Sequence, residues 1–239
     1  MISAVIVAAG QGTRMGPDVD KLFLMVAGQP LIAHTWQRFD STRIIDEIIL
    51  VVRDGQQSAF AELAKEHLFQ KPFRLVAGGK ERQDSVWNGL QALSPATEIV
   101  AIQDGARPCT LEELIAATVV AAREVGAAVA AQPVTDTIKE SADGQFINRT
   151  VDRSRLWAVQ TPQSFRVEVI RRALTAVRAK GLVLTDDTAA CELIGQAVKL
   201  VSSSAPNPKV TLPRDVAYVE SLLRGEDTQP YLSVRGEGT

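Results

Sequence analysis

The chemistry-bearing residues of this chain begin at the end of its first apolar run. Ile2 to Val7 is continuously apolar and reads as a buried strand. It opens into Ala8-Ala9-Gly10-Gln11-Gly12-Thr13-Arg14-Met15-Gly16, with Lys21 five residues on. Gly10 and Gly12 permit a tight turn and close backbone approach to a ligand, and successive N–H groups in such a loop can converge on an anion. Arg14 adds a planar fork of donors and Lys21 a mobile point charge, a pair suited to a polyphosphate.

Two other readings compete. Gly10, Gly12 and Gly16 loosely fit a dinucleotide-binding pattern, but Pro17, Asp18 and Asp20 prolong the irregular segment where such a loop would enter a helix. The second strand ends Val52-Arg53-Asp54, with a basic residue before its acid, so the ribose-binding carboxylate is not well placed. A charged surface turn is the other reading, and this stretch alone does not decide.

Ligands of open α/β sheets sit beyond the carboxyl ends of the strands, which selects Ala8–Lys21, Gly78–Ser85, Asp104–Arg107 and Val134–Lys139 as loops that should meet. Gly78 and Gly79 permit close approach to a flat ligand such as a base, and Ser85 supplies one hydrogen bond. An ordinary strand-to-helix turn, with Asp84 or Ser85 near the cap, explains the same residues. Asp104 at a strand end can hold a metal or a sugar hydroxyl, with Arg107 taking a phosphate; a local Asp–Arg ion pair is the plainer alternative.

The elements that position these loops alternate between strand and helix. Strands are expected at Ile2–Ala8, Glu47–Val52, Phe73–Ala77, Ile99–Ile102 and Ala127–Val134. Helices are expected at Leu31 to about Phe39, with Pro30 in the first turn, at Gln56–Leu68, at Asp84–Leu93 and from Thr110 to about Val125. Thr110 and Glu113 would form a capping box there and Gly126 would end the helix. This rhythm predicts an α/β fold: a mostly parallel sheet with helices on both faces.

The rhythm breaks at Thr135. Thr137–Ser141 and Phe146–Val151 read as the arms of a hairpin around Ala142-Asp143-Gly144, too small to be stable alone. This β-arm, about residues 135–157, reads as a dimerisation device, with a solvent-facing flap as the alternative. Helices follow at Val167–Ala179, Asp187–Ile194 and Pro213–Leu223, with a strand at Val198–Val201. Residues 1–224 thus form one domain, and 225–239 read as a flexible tail.

The chain has 239 residues, 46% of them hydrophobic, enough for a sizeable core. A net charge of −2 gives no sign of nucleic-acid binding or of a basic membrane patch, so positive charge must be local. Cys109 and Cys191 are isolated and lack zinc-ligand spacing. His34 and His67 read as structural, which argues against a histidine-based hydrolase. No apolar run approaches bilayer-spanning length, and no basic segment precedes the first strand, so a cytoplasmic setting is the expectation.

Taken in order, Ala8-Ala9-Gly10-x-Gly12-x-Arg14-Met15, Lys21, Gly78-Gly79-x-x-Arg82-x-x-Ser85-Val86, Asp104-x-Ala106-Arg107-Pro108, Asp136-Thr137-Ile138-Lys139, Thr161-Pro162-Gln163-x-Phe165, Thr185-Asp186-Asp187 and Lys209-Val210-Thr211 resemble the 2-C-methyl-D-erythritol 4-phosphate cytidylyltransferase family of the non-mevalonate isoprenoid pathway. The resemblance covers about residues 2 to 224. It implies a Rossmann-like (GT-A-like) nucleotidyltransferase fold and transfer of CMP from CTP to methylerythritol phosphate, with pyrophosphate released. It implies that Arg14 and Lys21 contact the CTP phosphates and, with Lys209, act in catalysis. Ala8, Ala9, Gly10, Gly12, Gly79, Ser85 and Asp104 would bind the nucleotide, and Arg107, Thr137, Arg153 and Lys209 the polyol phosphate. The arm would cross to a twofold partner, so that Thr137 and Arg153 complete the neighbour's site. Mg²⁺ or another divalent cation would be held mainly by the CTP phosphates, with Asp104 a candidate ligand. Gln103 stands where the family usually has histidine, and Gly105 where alanine is common. The same residues leave open a cytidylyltransferase for another polyol phosphate, such as ribitol 5-phosphate. More distant readings are a nicotinamide-binding oxidoreductase and a silent nucleotide-binding module.

Overall fold

A computed structural model describes residues 1–10, 12–16, 20–203 and 205–225. In chain order its elements are β1 (Ile2–Ala8), the short strands β2 (Met25–Val26) and β3 (Gln29–Pro30), α1 (Leu31–Ser41), β4 (Glu47–Val52), α2 (Gln57–Glu66), β5 (Phe73–Ala77), α3 (Arg82–Gln91), β6 (Ile99–Asp104), α4 (Glu112–Val125) and β7 (Ala127–Pro133). The arm strands β8 (Lys139–Glu140) and β9 (Arg149–Thr150) follow, then β10 (Trp157–Arg166), α5 (Val167–Ala179), α6 (Thr188–Leu193), β11 (Lys199–Ser202) and α7 (Asp215–Arg224).

One seven-stranded sheet, in the order β11-β7-β10-β6-β1-β4-β5, organises the molecule. The pairs β1–β4, β1–β6, β4–β5 and β7–β11 are parallel. Side chains alternate between its faces, as strand geometry requires. Ala4, Ile6 and Ala8 of β1 pack with Trp36 and Phe39 of α1, Phe60 of α2 and Ile115 of α4. Val5 points the other way, to Val86 and Leu90 of α3 and Ile170 and Leu174 of α5. Burial on both faces explains why the parallel strands read as unbroken apolar runs.

β10 has no counterpart among the expected elements. It lies between β6 and β7, antiparallel to both. Its sequence, Trp157-Ala-Val-Gln-Thr-Pro-Gln-Ser-Phe-Arg166, is polar and contains a proline, which ordinarily argues against a central strand. The ladder to β7 shifts register between Val159 and Gln163, and Pro162 sits in that irregularity, where no ladder hydrogen bond is required of it. Buried Ser164 and Gln163 are paired: Ser164 donates to Thr118 Oγ1 at 3.0 Å, and Gln163 Nε2 donates to Asp186 at 3.0 Å.

Several boundaries also differ. α3 starts at Arg82, with Glu81 rather than Asp84 or Ser85 at the cap and Asp84 completing a reciprocal capping box. The box expected from Thr110 and Glu113 does not form: Leu111 occupies the N-cap of α4, and the Thr110 hydroxyl turns inward instead. Gly126 ends α4 in the left-handed conformation, as expected. The arm forms with two cross-strand pairs, Lys139 with Thr150 and Glu140 with Arg149, and residues 140–150 are all exposed. Beyond Gly225, the expected tail lies outside the described residues.

Candidate active site

Two adjoining cavities open at the carboxyl ends of β1, β5 and β6. The first is lined by Ala8, Ala9 and Gly10 from the first loop, Gly79, Arg82 and Ser85 from the second, Asp104 and Ala106 from the third, and Lys21 and Lys209. The second shares Arg82, Asp104 and Lys209 and adds Arg107, Thr161, Gln163, Thr185 and Asp186.

Local packing dictates the glycines. Gly12 has φ +64°, and a Cβ there would lie 3.1 Å from Cγ and Cδ of Lys21, so the loop grips the lysine stem. Lys21 Nζ donates to the Val210 carbonyl at 3.3 Å. Burial, then the nearby charges of Lys209 and Arg14, lower the Lys21 pKa below the ordinary lysine value, against the pull of Asp104. Arg14 itself is exposed on a single turn, Thr13–Met15, and lines neither cavity. A Cβ on Gly78 would lie 2.3 Å from Ala9 Cβ, and one on Gly79 2.3 Å from Asp84 Cβ. Both glycines are therefore required by contacts within the chain, whatever ligand sits above them. Gly79 N donates to Ser85 Oγ at 3.1 Å, and Ser85 is almost fully buried.

Asp104 is the hub. Lys209 Nζ lies 2.8 Å from its Oδ2, Arg82 Nε 3.3 Å from Oδ1 and Arg107 Nε 3.6 Å from Oδ2. Burial alone would raise the Asp104 pKa; Arg82, Lys209 and Arg107 outweigh it and hold the carboxyl far below its ordinary range. Arg82 also reaches Asp187 Oδ2 at 2.7 Å. Burial works against its charge, but Asp187 and Asp104 overcome that and raise its pKa. Burial pushes Asp187 up, against the pull of Arg82. Arg107 donates to the Asn207 carbonyl at 2.6 Å, and burial lowers its pKa despite Asp104. The plainer alternative is present, since Asp104 and Arg107 form an ion pair, and both residues also line the second cavity.

The structure brings together Ala8, Ala9, Gly10, Lys21, Gly79, Ser85, Asp104, Arg107 and Lys209, with Gly12 behind the lysine stem. It does not bring Thr137 and Arg153 to them. Both are exposed, and Arg153 donates to the Thr135 carbonyl in its own arm. Val134–Lys139, expected to meet the other loops, lines neither cavity because β10 is inserted between β6 and β7, placing β7 two strand spacings, about 10 Å, from β6. Arg82, Asp187 and Asn207 carry no individual role in the sequence reading. Arg82 lies among Lys80, Glu81 and Asp84, a cluster that reads as solvated, and Asn207 lies in a polar loop between two prolines. His34 Nε2 contacts the Val26 carbonyl at 2.7 Å, while His67 stacks on Phe69. Cys109 and Cys191 are both free and buried, and burial raises their thiols to about 11 and about 12.

A mostly parallel sheet whose strand ends gather a glycine-rich loop and cations around one buried carboxylate fits a nucleotidyltransferase-type α/β protein. The chain belongs to the IspD family, 2-C-methyl-D-erythritol 4-phosphate cytidylyltransferase, whose model matches residues 2–225. It is 41% identical over 224 residues to the 2-C-methyl-D-erythritol 4-phosphate cytidylyltransferase of Pelotomaculum thermopropionicum, covering 93% of this chain and 94% of that one. It is 44% identical to the protein of the same name from Desulforamulus reducens, covering 93% and 96%. Among solved structures, 4-diphosphocytidyl-2C-methyl-D-erythritol synthase from Anaerococcus prevotii matches with a TM-score of 0.82 at 31% identity, over 93% of this chain and 96% of that one. The Thermus thermophilus cytidylyltransferase matches with 0.77 at 33%, over 94% and 100%.

Proposed function

We propose that the first cavity takes CTP, the second takes the phosphate of 2-C-methyl-D-erythritol 4-phosphate, and the residues they share bring the two together. Family membership gives the reaction: CMP is transferred from CTP to methylerythritol phosphate and pyrophosphate is released, a step of non-mevalonate isoprenoid precursor synthesis. An oxygen of the polyol phosphate attacks the α-phosphorus in line, and the bond from that phosphorus to the bridging oxygen of pyrophosphate breaks. The nucleophile is already ionised near neutral pH, so no general base is required. The difficulty is repulsion between two anions, and the chain meets it with fixed cations and alignment. Lys21, with the charge of Arg14 nearby, serves the triphosphate, Arg107 serves the polyol phosphate, and Lys209 stands between them. Backbone groups at Ala8, Ala9, Gly10 and Gly79, with Ser85, hold the base, and Gly12 sets the course of the phosphate loop.

The observation that carries this reading is that the two cavities share Arg82, Asp104 and Lys209. Asp104 lines both cavities and would be the carboxylate within reach of a Mg²⁺ carried by the triphosphate, an ion commonly held by one or two carboxylates plus substrate phosphates. Mg²⁺ would offset charge on the triphosphate when bound. For the arm we propose a homodimer in which Thr137 and Arg153 complete the partner's polyol site. Its support is that Phe146 and Ile147 stand 73% and 65% exposed on the arm, too apolar to favour water, and that Arg153 has no anionic partner on its own chain among the described residues. A cytoplasmic enzyme fits the two unpaired thiols; no described helix is long and apolar enough to cross a membrane.

The test is product analysis by phosphorus NMR, with CTP and either methylerythritol phosphate or ribitol 5-phosphate. A cytidine diphosphate ester of methylerythritol formed at least tenfold faster supports the assignment. Preference for ribitol 5-phosphate, or no ester at all, overturns it.

A further inference from the structure

Arg107 and Lys209 lie on different loops, and something must fix the distance between them. The Asn207 side chain, 2% exposed, is the junction. Its Nδ2 donates to the Thr161 carbonyl at 2.8 Å, at the irregular point of β10. Its Oδ1 lies 2.9 Å from the Thr110 hydroxyl, whose single proton is shared with the Arg107 carbonyl at 3.0 Å, and Thr110 Oγ1 in turn accepts from Gln103 Nε2 at 2.9 Å. Gln103 and Thr110 are both fully buried. The direction of this chain of hydrogen bonds is set at one end by Gln103, whose Nε2 also faces the Arg107 carbonyl at 3.3 Å. A flipped amide would set two oxygens against each other there. The Asn207 carbonyl then accepts from Arg107 Nη1 at 2.6 Å, and two residues later Lys209 reaches Asp104. Val210 N closes the clamp on the Ala106 carbonyl at 2.9 Å.

We propose that Asn207, held by Thr110 and Gln103, is a positioning residue that sets the separation of Arg107 and Lys209 and so governs affinity for the phosphate of the polyol substrate. It touches no cavity surface itself: neither cavity is lined by Asn207, Thr110 or Gln103. The inference rests on the reading that the second cavity takes that phosphate. It predicts a larger effect on the polyol side, because Gly79 and Ser85 take no hydrogen bond from this network and Lys21 meets it only through the Val210 carbonyl, at 3.3 Å.

The test is steady-state kinetics on Asn207→Ala, Thr110→Val and Thr110→Ser, with calorimetric titration of methylerythritol 4-phosphate into each and circular dichroism to confirm folding. Removing one buried hydrogen-bond partner should weaken the site roughly tenfold. Asn207→Ala and Thr110→Val should raise KM and Kd for methylerythritol phosphate by about that factor, with KM for CTP within about twofold of wild type. Thr110→Ser, which keeps the hydroxyl, should restore wild-type values. Equal rises in both KM values, a Thr110→Ser variant as impaired as Thr110→Val, or no change in the folded variants would overturn the proposal. Should Asn207→Ala fail to fold, the Thr110 pair decides by the same criteria. Wild-type protein that binds methylerythritol phosphate but forms no ester would overturn the assigned reaction alone. Wild-type protein that does not bind it would overturn both.

Discussion

Lys209 Nζ sits 2.8 Å from Asp104 Oδ2, joining the loop that follows β11 to the end of β6, residues more than a hundred positions apart in the chain. Three cations converge on this one buried carboxylate. Its pKa is held far below the unfolded value of 3.8, so the stability it contributes is fully present above about pH 4 and is lost as pH falls from there through the folded value. Asp104→Asn should lower stability at pH 7 by about 3 kcal/mol, since it leaves buried cations unpaired. It should also flatten the acid limb of the stability curve. Urea unfolding of both proteins between pH 3 and 7 measures both effects.

The proposed role of Lys21 requires its charged form, and its pKa is lowered by burial first and by Lys209 and Arg14 next. As pH rises it therefore loses its proton before an ordinary lysine does. The alkaline limb of the kcat profile should lie below 10.5, the ordinary lysine value, and should move upward in Lys21→Arg. Lys21→Ala should lose the limb together with about 10²-fold in kcat. A pH–rate series on the three proteins checks this.

Gly78 lies between two functional loops, and an added Cβ would come within 2.3 Å of Ala9 Cβ. Gly78→Ala should force the loops apart, costing about 1–3 kcal/mol of stability and weakening nucleotide binding. Thermal unfolding with and without CTP separates the two. Gly10→Ala, with nothing within 4 Å of the added carbon, should leave stability nearly unchanged.

The parts of this molecule that follow local rules were legible in the sequence. β1 and β4 fall within the expected bounds because strands buried on both faces are apolar along nearly their whole length, and α5 does so because its inward residues recur at helical spacing. The gathering of Lys21, Asp104 and Arg107 followed from the rule that strand ends meet, whereas Lys209 came only from the family resemblance and Val134–Lys139, chosen by the same rule, lines neither cavity. β10 was hidden because its buried positions are polar and are satisfied by partners far away in sequence, such as Thr118 and Asp186. The same long-range pairing diverted Thr110 from the helix cap it was expected to make. Arg82 was hidden among neighbouring charges, although its two carboxylate partners lie 22 and 105 residues away.

If the arm completes a neighbour's site, two defects on different subunits can be separated by mixing. Lys21→Ala and Arg153→Ala would each be impaired alone. Co-refolded in equal amounts, they should recover about a quarter of wild-type activity, since half of the dimers are mixed and each of those carries one intact site. Activity no greater than the average of the two parents would place both residues in one chain's site or remove Arg153 from it.

If cations around Asp104 bring two anions together for transfer, single-turnover pyrophosphate release must depend on both anions and on those cations. With CTP and methylerythritol phosphate both saturating, wild-type protein should release pyrophosphate only when both are present, and Lys21→Ala and Lys209→Ala should each slow the release by about 10²-fold. Release at the wild-type rate from both variants, or release that does not depend on methylerythritol phosphate, would contradict it.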